Sequence, residues 1–514
     1  MSQQNAFSRR RFLQVSMASA AAAFGGVAFN LSPAQAAELA ARRQSNTLRV
    51  AWGNPATLDP LTASADAEIA FLNAVYDYLI DTDVDFNLVP RLAESWEVNE
   101  DGTQYTLTIR DGVTFHDGSE LTLDDILWTF DYHLNQDGPV AGLLSDLENI
   151  EPGEGDNTLV FTLSNPNPDF LYFLSDNRLV ILKQDAENIG EEFNGTGPFV
   201  LQEYTPGDRA VFSAYQDYWG EVPSLETLEF IYFDDPQAAV SALEGGQVDV
   251  ALRMDNATFF SLASDPNFTA QDVATSGHDL ARLRADRAPG DDPRVQQAFK
   301  LATDRQAIYE RIQLGFGSLG KDSPIGPVYG AFHNEDLELA ERNVEEARNL
   351  LAEAGYEDGL DIDFYVPNSG DRPLLAQQLA AQWEEAGINA NIILQDEATY
   401  YAEDGWLEVD LGITGWGARP VPQIFLNQYV TSDGVWNESH WSNERVDELI
   451  ALAGSTTDEQ ERIDAYHEIQ QIMLEEGPII VPYFFAAFMV HDAAVSGLQV
   501  QPFPGRTNFN TASY

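Results

Sequence analysis

Asp101-Gly102-Thr103-Gln104-Tyr105-Thr106-Leu107-Thr108-Ile109-Arg110 runs directly into Asp111-Gly112-Val113-Thr114-Phe115-His116-Asp117-Gly118. From Thr103 to Arg110 apolar and polar residues alternate, which is the period of a strand with one buried face, and Asp111-Gly112 is a turn signal. A second alternating strand runs from Thr158 to Leu163. Between the two, Leu123 to Tyr132 has helical apolar spacing, with Thr122 as its cap ahead of Asp124 and Asp125. The chain therefore opens as mixed α/β.

The same reading extends outward. Leu48 to Trp52 is a short apolar strand, Leu58-Asp59-Pro60 a turn, and Ile69 to Ile80 a helix. Gly195-Thr196-Gly197-Pro198 is a tight turn before the strand Phe199 to Leu201, and Ala238 to Glu244 is a helix ahead of the strand Val248 to Leu252. A crossing between lobes is expected between Ala270 and Asp292. Further on, helices are expected over 343–354, 374–386, 443–453 and 458–474. Strands are expected over 390–394, 407–414 and 479–485. The 407–414 strand ends at Gly415-Trp416-Gly417.

Ser8-Arg9-Arg10-Arg11-Phe12-Leu13, an apolar small-residue run from Val15 to Phe29 and Ala34-Gln35-Ala36 make residues 1–36 a secretory signal of the twin-arginine kind. An uncleaved basic anchor is the other reading of that segment. The remaining chain is long enough for two or three domains. It holds no cysteine, which excludes a disulfide scaffold, a thiol nucleophile and lipidation at a cysteine after the signal. The expectation is a periplasmic protein without a lipid anchor.

Charge is the compositional anomaly. Across 514 residues, 83 acidic side chains face 27 basic ones, a formal net charge of −56. Lys183, Lys300 and Lys321 are the lysines, so arginine carries nearly all the positive charge. Nucleic acid and anionic membrane are excluded as partners, because phosphate binding needs basic patches.

In order along the chain, several stretches resemble the solute-binding proteins of peptide/nickel-type ABC importers, extracellular family 5. They are Thr57-Leu58-Asp59-Pro60, Leu92-Ala93-Glu94-Ser95-Trp96, the Arg110–Gly118 run, Gly195–Phe199, Asp217-Tyr218-Trp219-Gly220, Asp292-Pro293-Arg294-Val295 and Leu350–Tyr356. The resemblance implies an α/β, two-lobed type II periplasmic-binding-protein fold. Lobe I would span 46–275 with an inserted subdomain at about 82–190 and be completed by 486–514; lobe II would span 276–485. It also implies a monomer that captures a peptide-like or other carboxylate-bearing solute and delivers it to a membrane permease and its ATPase, with no cofactor. Binders of a metal chelate, an opine or an oligosaccharide share the fold.

Three places stand out as ligand contacts. At strand period, Arg282, Arg284 and Asp286 share one face; they fit a cleft wall, and equally surface arginines paired with the abundant acids. Arg372, before Pro373, matches an Arg-Pro that in dipeptide-type members holds the ligand's terminal carboxylate, a task for which the planar guanidinium fork is suited. Trp416 matches a Gly-Trp of the family, and Arg419 stands three residues later, where peptide binders carry an aspartate for the ligand's ammonium. Trp436 and Asn437 are expected along the same cleft. Convergence of the four arginines would select an anionic ligand.

A hydrolase is the competing class, but no nucleophile elbow or H-E-x-x-H motif occurs. The seven histidines are scattered and suggest no metal site. So acidic a surface repels itself in dilute buffer, and salt screens that repulsion. The melting temperature of the purified protein should therefore rise between dilute buffer and molar salt; equal stability in both would contradict adaptation to a saline exterior.

Overall fold

The computed structural model describes residues 46–136, 138–402 and 405–514, so the signal-like segment 1–36 lies outside the described residues. Its spine is an eleven-stranded mixed sheet. In chain order its strands are β1 (Thr47–Trp52), β2 (Phe199–Thr205), β3 (Arg209–Ala214), β4 (Thr227–Tyr232), β5 (Val250–Ala251), β6 (Phe268–Leu283), β7 (Ser318–Leu319), β8 (Leu360–Pro367), β9 (Ile388–Gln395), β10 (Leu411–Trp416) and β11 (Ile479–Asp492). Their spatial order is β9-β8-β10-β6-β11-β5-β1-β4-β3-β2, with β7 on β11.

β6 and β11 are the long strands, and they pair antiparallel from Phe268↔Asp492 to Arg282↔Ile479. Register shifts interrupt the ladder between Ala274 and His278 and between Asp279 and Ala281. On one side of the interruption, β1, β4 and β5 surround a core containing Trp52, Phe71, Phe212 and Phe230. On the other, parallel β8, β9 and β10 carry two cores on their opposite faces. Ala281 and Leu283 face Phe299, Phe364 and Trp383, and Leu280 faces Phe425, Tyr429 and Tyr466. One strand serves both because successive side chains point to opposite faces.

A separate antiparallel sheet, in the order Ala93–Val98, Gln104–Ile109, Thr158–Leu163, Leu147–Pro152, forms the subdomain. The alternation read from the sequence is the observed one: Tyr105, Leu107 and Ile109 are buried, as are Leu159, Phe161 and Leu163. They pack on Ile126 and Phe130 of α1 (Leu123–Leu134). Thr122 caps that helix through a reciprocal box with Asp125, whose Oδ2 accepts from the Thr122 amide at 2.8 Å and its hydroxyl at 2.7 Å.

Three expectations shift. The helix expected over 69–80 spans Asp66–Val75. It stops where Gly195 and Gly197 press on it: the Gly197 amide donates to Val75 O at 2.9 Å, and a Cβ on Gly195 would sit 2.0 Å from that oxygen. His116 locks the same turn, its amide donating to Gly195 O and its Nε2 lying 3.0 Å from Gly197 O. The strand expected over 407–414 begins only at Leu411, because arginines of β6 and the turn after it take the carbonyls of residues 406–409. The 479–485 strand continues to Asp492.

Asp322, fully buried, holds Arg305 at 2.5 Å and lies 3.9 Å from Lys300. Removing the carboxylate strands two buried cations. Asp322→Ala should lower the unfolding free energy by about 3–5 kcal/mol in urea titration; a loss below about 1 kcal/mol would contradict this role.

Candidate functional site

Parallel strands β8 and β10 end side by side, and the segments leaving their carboxyl ends bond to β6, through Arg372 to Asp279 and through Arg419 to Ser276. In open α/β sheets this is where ligands bind. The loop after β8 passes through Gly370 (φ +56°) and enters α2 (Arg372–Glu384), with Pro373 in the helix's first turn. Arg372 then lies across β10. Its Nε donates to Asp279 Oδ1 at 3.0 Å, and its Nη1 to Ser369 Oγ at 2.7 Å and Glu397 Oε1 at 3.4 Å. Gly415 makes the seat, since a Cβ there would stand 2.0 Å from Arg372 Nη2. Burial pushes the Asp279 carboxyl up, and Arg372 draws it back.

The loop after β10 presents Arg419. Its backbone is clamped twice: the amide donates to Ser276 Oγ at 2.8 Å, while Arg419 O accepts from Ser276 Oγ at 2.8 Å and Tyr329 Oη at 2.9 Å. Its half-buried guanidinium reaches only Ala418 O at 3.0 Å and Gly417 O at 3.5 Å, with the Phe425 ring 6.0 Å away. Among the described residues no carboxylate lies within ion-pair distance of it. Desolvation lowers its pKa, Tyr329 and Asp176 oppose that, and Arg178 adds to it. Arg178 is itself forked onto Asp176 at 3.0 and 3.1 Å, and its Nε is buried without a partner.

The remaining expected residues divide differently. β6 ends at Leu283, so Arg284 and Asp286 lie beyond the strand that holds Arg282, and both arginines are taken up by internal partners. Arg282 is fully buried against Glu438 at 3.1 Å and also donates to Val409 O at 3.0 Å. Arg284 is shared between Asp286 (2.7 Å) and Glu408 (2.6 Å). Asn437 spends its amide on Thr431 O and Trp441 O. Trp416 points to the face opposite Gly415, tilted on Tyr429 at 4.5 Å with Nε1 donating to Glu438 at 3.3 Å. Trp436 stands at the rim, 5.8 Å from Trp416. Three of the four arginines, Arg282, Arg284 and Arg372, are thus spent on internal carboxylates, and Arg419 is the one that is not. A groove of about 710 Å³ along β9 is lined by Asp361, Asp363 and Glu384 and lies away from these strand ends.

Sequence reasoning missed Ser276, Asp279, Tyr329 and Arg178. Asp279 carried a signal, being an acid inside an apolar strand run, which requires a buried partner. Nothing marked the other three. The subdomain side also meets the opposite side directly. Asp169 pairs with Arg462 at 2.8 Å, both buried, and Phe86 stacks on Tyr329 at 6.1 Å. No group of three or more His, Asp or Glu side chains suited to a metal ion occurs among the described residues.

His278 lies beneath this site, its Nδ1 2.9 Å from Ser276 O and its Nε2 2.9 Å from Tyr429 Oη. Burial pushes its pKa down from 6.5 to about 4. The unfolded ring takes a proton below pH 6.5 and the folded ring does not, so its stabilisation is full above 6.5 and is lost as pH falls toward 4. The loss amounts to about 3 kcal/mol. The unfolding free-energy gap between wild type and His278→Gln should narrow by that order from pH 7 to pH 4; a gap independent of pH would contradict it.

A family model described as bacterial extracellular solute-binding proteins, family 5 Middle, matches residues 87–437. The dipeptide-binding protein of Escherichia coli strain K12 is 27% identical over 503 residues, covering 90% of this chain and 92% of that one. Heme-binding protein A of Haemophilus influenzae is 27% identical over 476 residues, covering 84% and 85%. The structure of HbpA2 from Haemophilus parasuis superposes with a TM-score of 0.79 at 25% identity, covering 91% of this chain and 99% of that one. The chain has the two-lobed α/β fold of this group, and it belongs to the extracellular solute-binding proteins of family 5, substrate-binding proteins of ABC importers rather than enzymes.

Proposed function

We propose that the protein captures a carboxylate-bearing small solute, peptide-like in size, between two closing lobes and hands it to a membrane permease driven by an ATPase. In this reading lobe I comprises residues 46–275 and 486–514, with the 82–190 subdomain, and lobe II comprises 276–485. The twin-arginine segment 1–36 sends the chain out of the cytoplasm to the periplasm. It then works as a monomer and without a lipid anchor.

The observation that carries the ligand class is Arg419. An acidic protein that pairs its other buried arginines leaves this half-buried guanidinium with no carboxylate within reach among the described residues. A desolvated cation without a counter-charge is costly. A ligand anion supplies that counter-charge, and the planar fork favours a carboxylate. The resemblance places a ligand ammonium near this position in peptide binders, and Arg419 would repel one. Arg372, partly neutralised by Asp279, is the second contact. The dipeptide- and heme-binding names of the relatives fit a site whose ligand chemistry varies within one fold.

A ligand that binds only the folded state raises the melting temperature by mass action. A panel of N-blocked acidic peptides, opine-like acids and sugar acids should contain compounds that raise it, while neutral oligosaccharides and free neutral dipeptides do not. Arg419→Ala should weaken the best binder by about 1.5–3 kcal/mol, ten- to more than a hundredfold in calorimetry. Arg445→Ala, on the exposed helix face beside Glu448 and Glu468, should leave it unchanged. Tight binding of free neutral dipeptides, or indifference to Arg419→Ala, would overturn the anionic reading.

A further inference from the structure

Arg178 stands on the subdomain, in the turn 175–178. Leu174 and Leu179, which flank that turn, are buried in one core with Val421, two residues beyond Arg419. The loop after β10 and the Arg178 turn are therefore neighbours across the boundary that Asp169 and Arg462 also bridge. A second tie runs through Tyr329, whose hydroxyl donates to Arg419 O at 2.9 Å and whose ring stacks on Phe86 of the subdomain. Both charges of the turn reach the Arg419 guanidinium. Burial lowers its pKa, Asp176 raises it and Arg178 lowers it further.

The turn is held in place by groups outside it. Tyr78 Oη donates to Asn177 O at 3.3 Å, and Arg506 Nη1 donates to Asn177 Oδ1 at 3.4 Å and to Ser175 O at 3.5 Å. Within it the Arg178 amide donates to Asp176 Oδ1 at 2.9 Å. The two guanidinia are spent alike. Among the described residues, Arg178 bonds Asp176 through Nη1 alone, and Arg419 bonds Ala418 O and Gly417 O through Nη1 alone. Each keeps its Nε–Nη2 edge, whose parallel N–H groups match a carboxylate. The Nε of Arg178 is buried with no acceptor, a cost that an incoming acceptor removes. The Arg178 side chain keeps 21% of its surface exposed, so the group is open to a solute.

Charge counting gives the valence. Two guanidinium charges less the one carboxylate charge of Asp176 leave one positive charge. His133, fully buried beside the turn, adds none, because burial pushes its pKa down to about 4. We infer that Arg178 is the second arm of the anion site: the solute's carboxylate lies between Arg419 on the loop after β10 and Arg178 on the subdomain, and Asp176 holds the site to one net positive charge. The inference rests on the anionic reading of Arg419. It adds a contact from the other side of the boundary and a preference for a monoanionic head group over a dianionic one. A purely structural Asp176–Arg178 pair is the competing account; it makes the loss of either member harmful and the loss of neither helpful to binding.

The test is calorimetry on the full chain with N-acetylated amino acids and dipeptides, opine-like acids and sugar acids, each carboxylate paired with its primary amide. Wild type should bind the carboxylates about tenfold or more tighter than the amides. Arg178→Gln should weaken the carboxylates by about tenfold or more and leave the amides unchanged. Arg178→Lys, which keeps the charge and loses the fork, should fall between. Asp176→Asn should tighten the carboxylates by about threefold or more, since it removes a negative charge while the Asn oxygen still accepts from the Arg178 amide. It should favour a phosphonate analogue more than the matched carboxylate. Unchanged melting temperatures of the free variants check folding. If Asp176→Asn fails to tighten the carboxylates, or Arg178→Gln leaves them unchanged, while Arg419→Ala still weakens them, the second arm is overturned and the Arg419 site stands. Carboxylate affinity indifferent to Arg419→Ala, or a panel without a binder, overturns the anion site itself and the second arm with it.

Discussion

Everything else in the molecule depends on the β6–β11 ladder. These two strands are the only sheet path between the two halves of the described chain, and both halves hang their cores on it. Its irregular stretch, from Ala274 to Ala281, is where the backbone is least bound to a regular register and where the site forms. Ser276 clamps the Arg419 loop, His278 supports the floor, and Asp279 holds Arg372. In the proposed reading, where the two lobes close over a solute, these two strands are the hinge, and the hinge and the proposed contact residues share one short stretch.

Charge economy is the second theme. In a chain with 83 acids and 27 bases, each arginine is a scarce structural resource. Arg282 is buried on Glu438, Arg305 on Asp322 and Arg462 on Asp169. The last of these joins the subdomain to the opposite half across 293 residues of sequence. Both groups are buried in that contact, so the pair joins two parts of the molecule rather than stabilising one core. Against that background the solitary guanidinium of Arg419 is the chemical signature of the site.

Legibility followed locality. The Gln104–Ile109 strand and the Thr122 cap were plain in the sequence because one face of that sheet is solvated and the capping box spans four residues. The end of the first helix was hidden because it is set by Gly195 and Gly197, more than a hundred residues away. The late start of β10 was hidden because arginines from β6 and the turn after it claim the preceding carbonyls. At the candidate site, Arg372 and Arg419 were singled out through family resemblance alone, whereas the roles of Arg282 and Arg284 were undecidable. With 83 carboxylates available, spacing cannot say which arginine is paired, and Glu438 and Glu408 come to β6 only through tertiary folding.

The central claim is that a solute carboxylate completes the charge of Arg419 between the two halves. A crystal structure of the full chain with a carboxylate solute selected by calorimetry tests it directly. The account predicts a carboxylate oxygen within hydrogen-bond reach of the Arg419 guanidinium, with side chains from both halves touching the same molecule. A ligand seated elsewhere, or one that meets Arg419 with a neutral or cationic group, would contradict it.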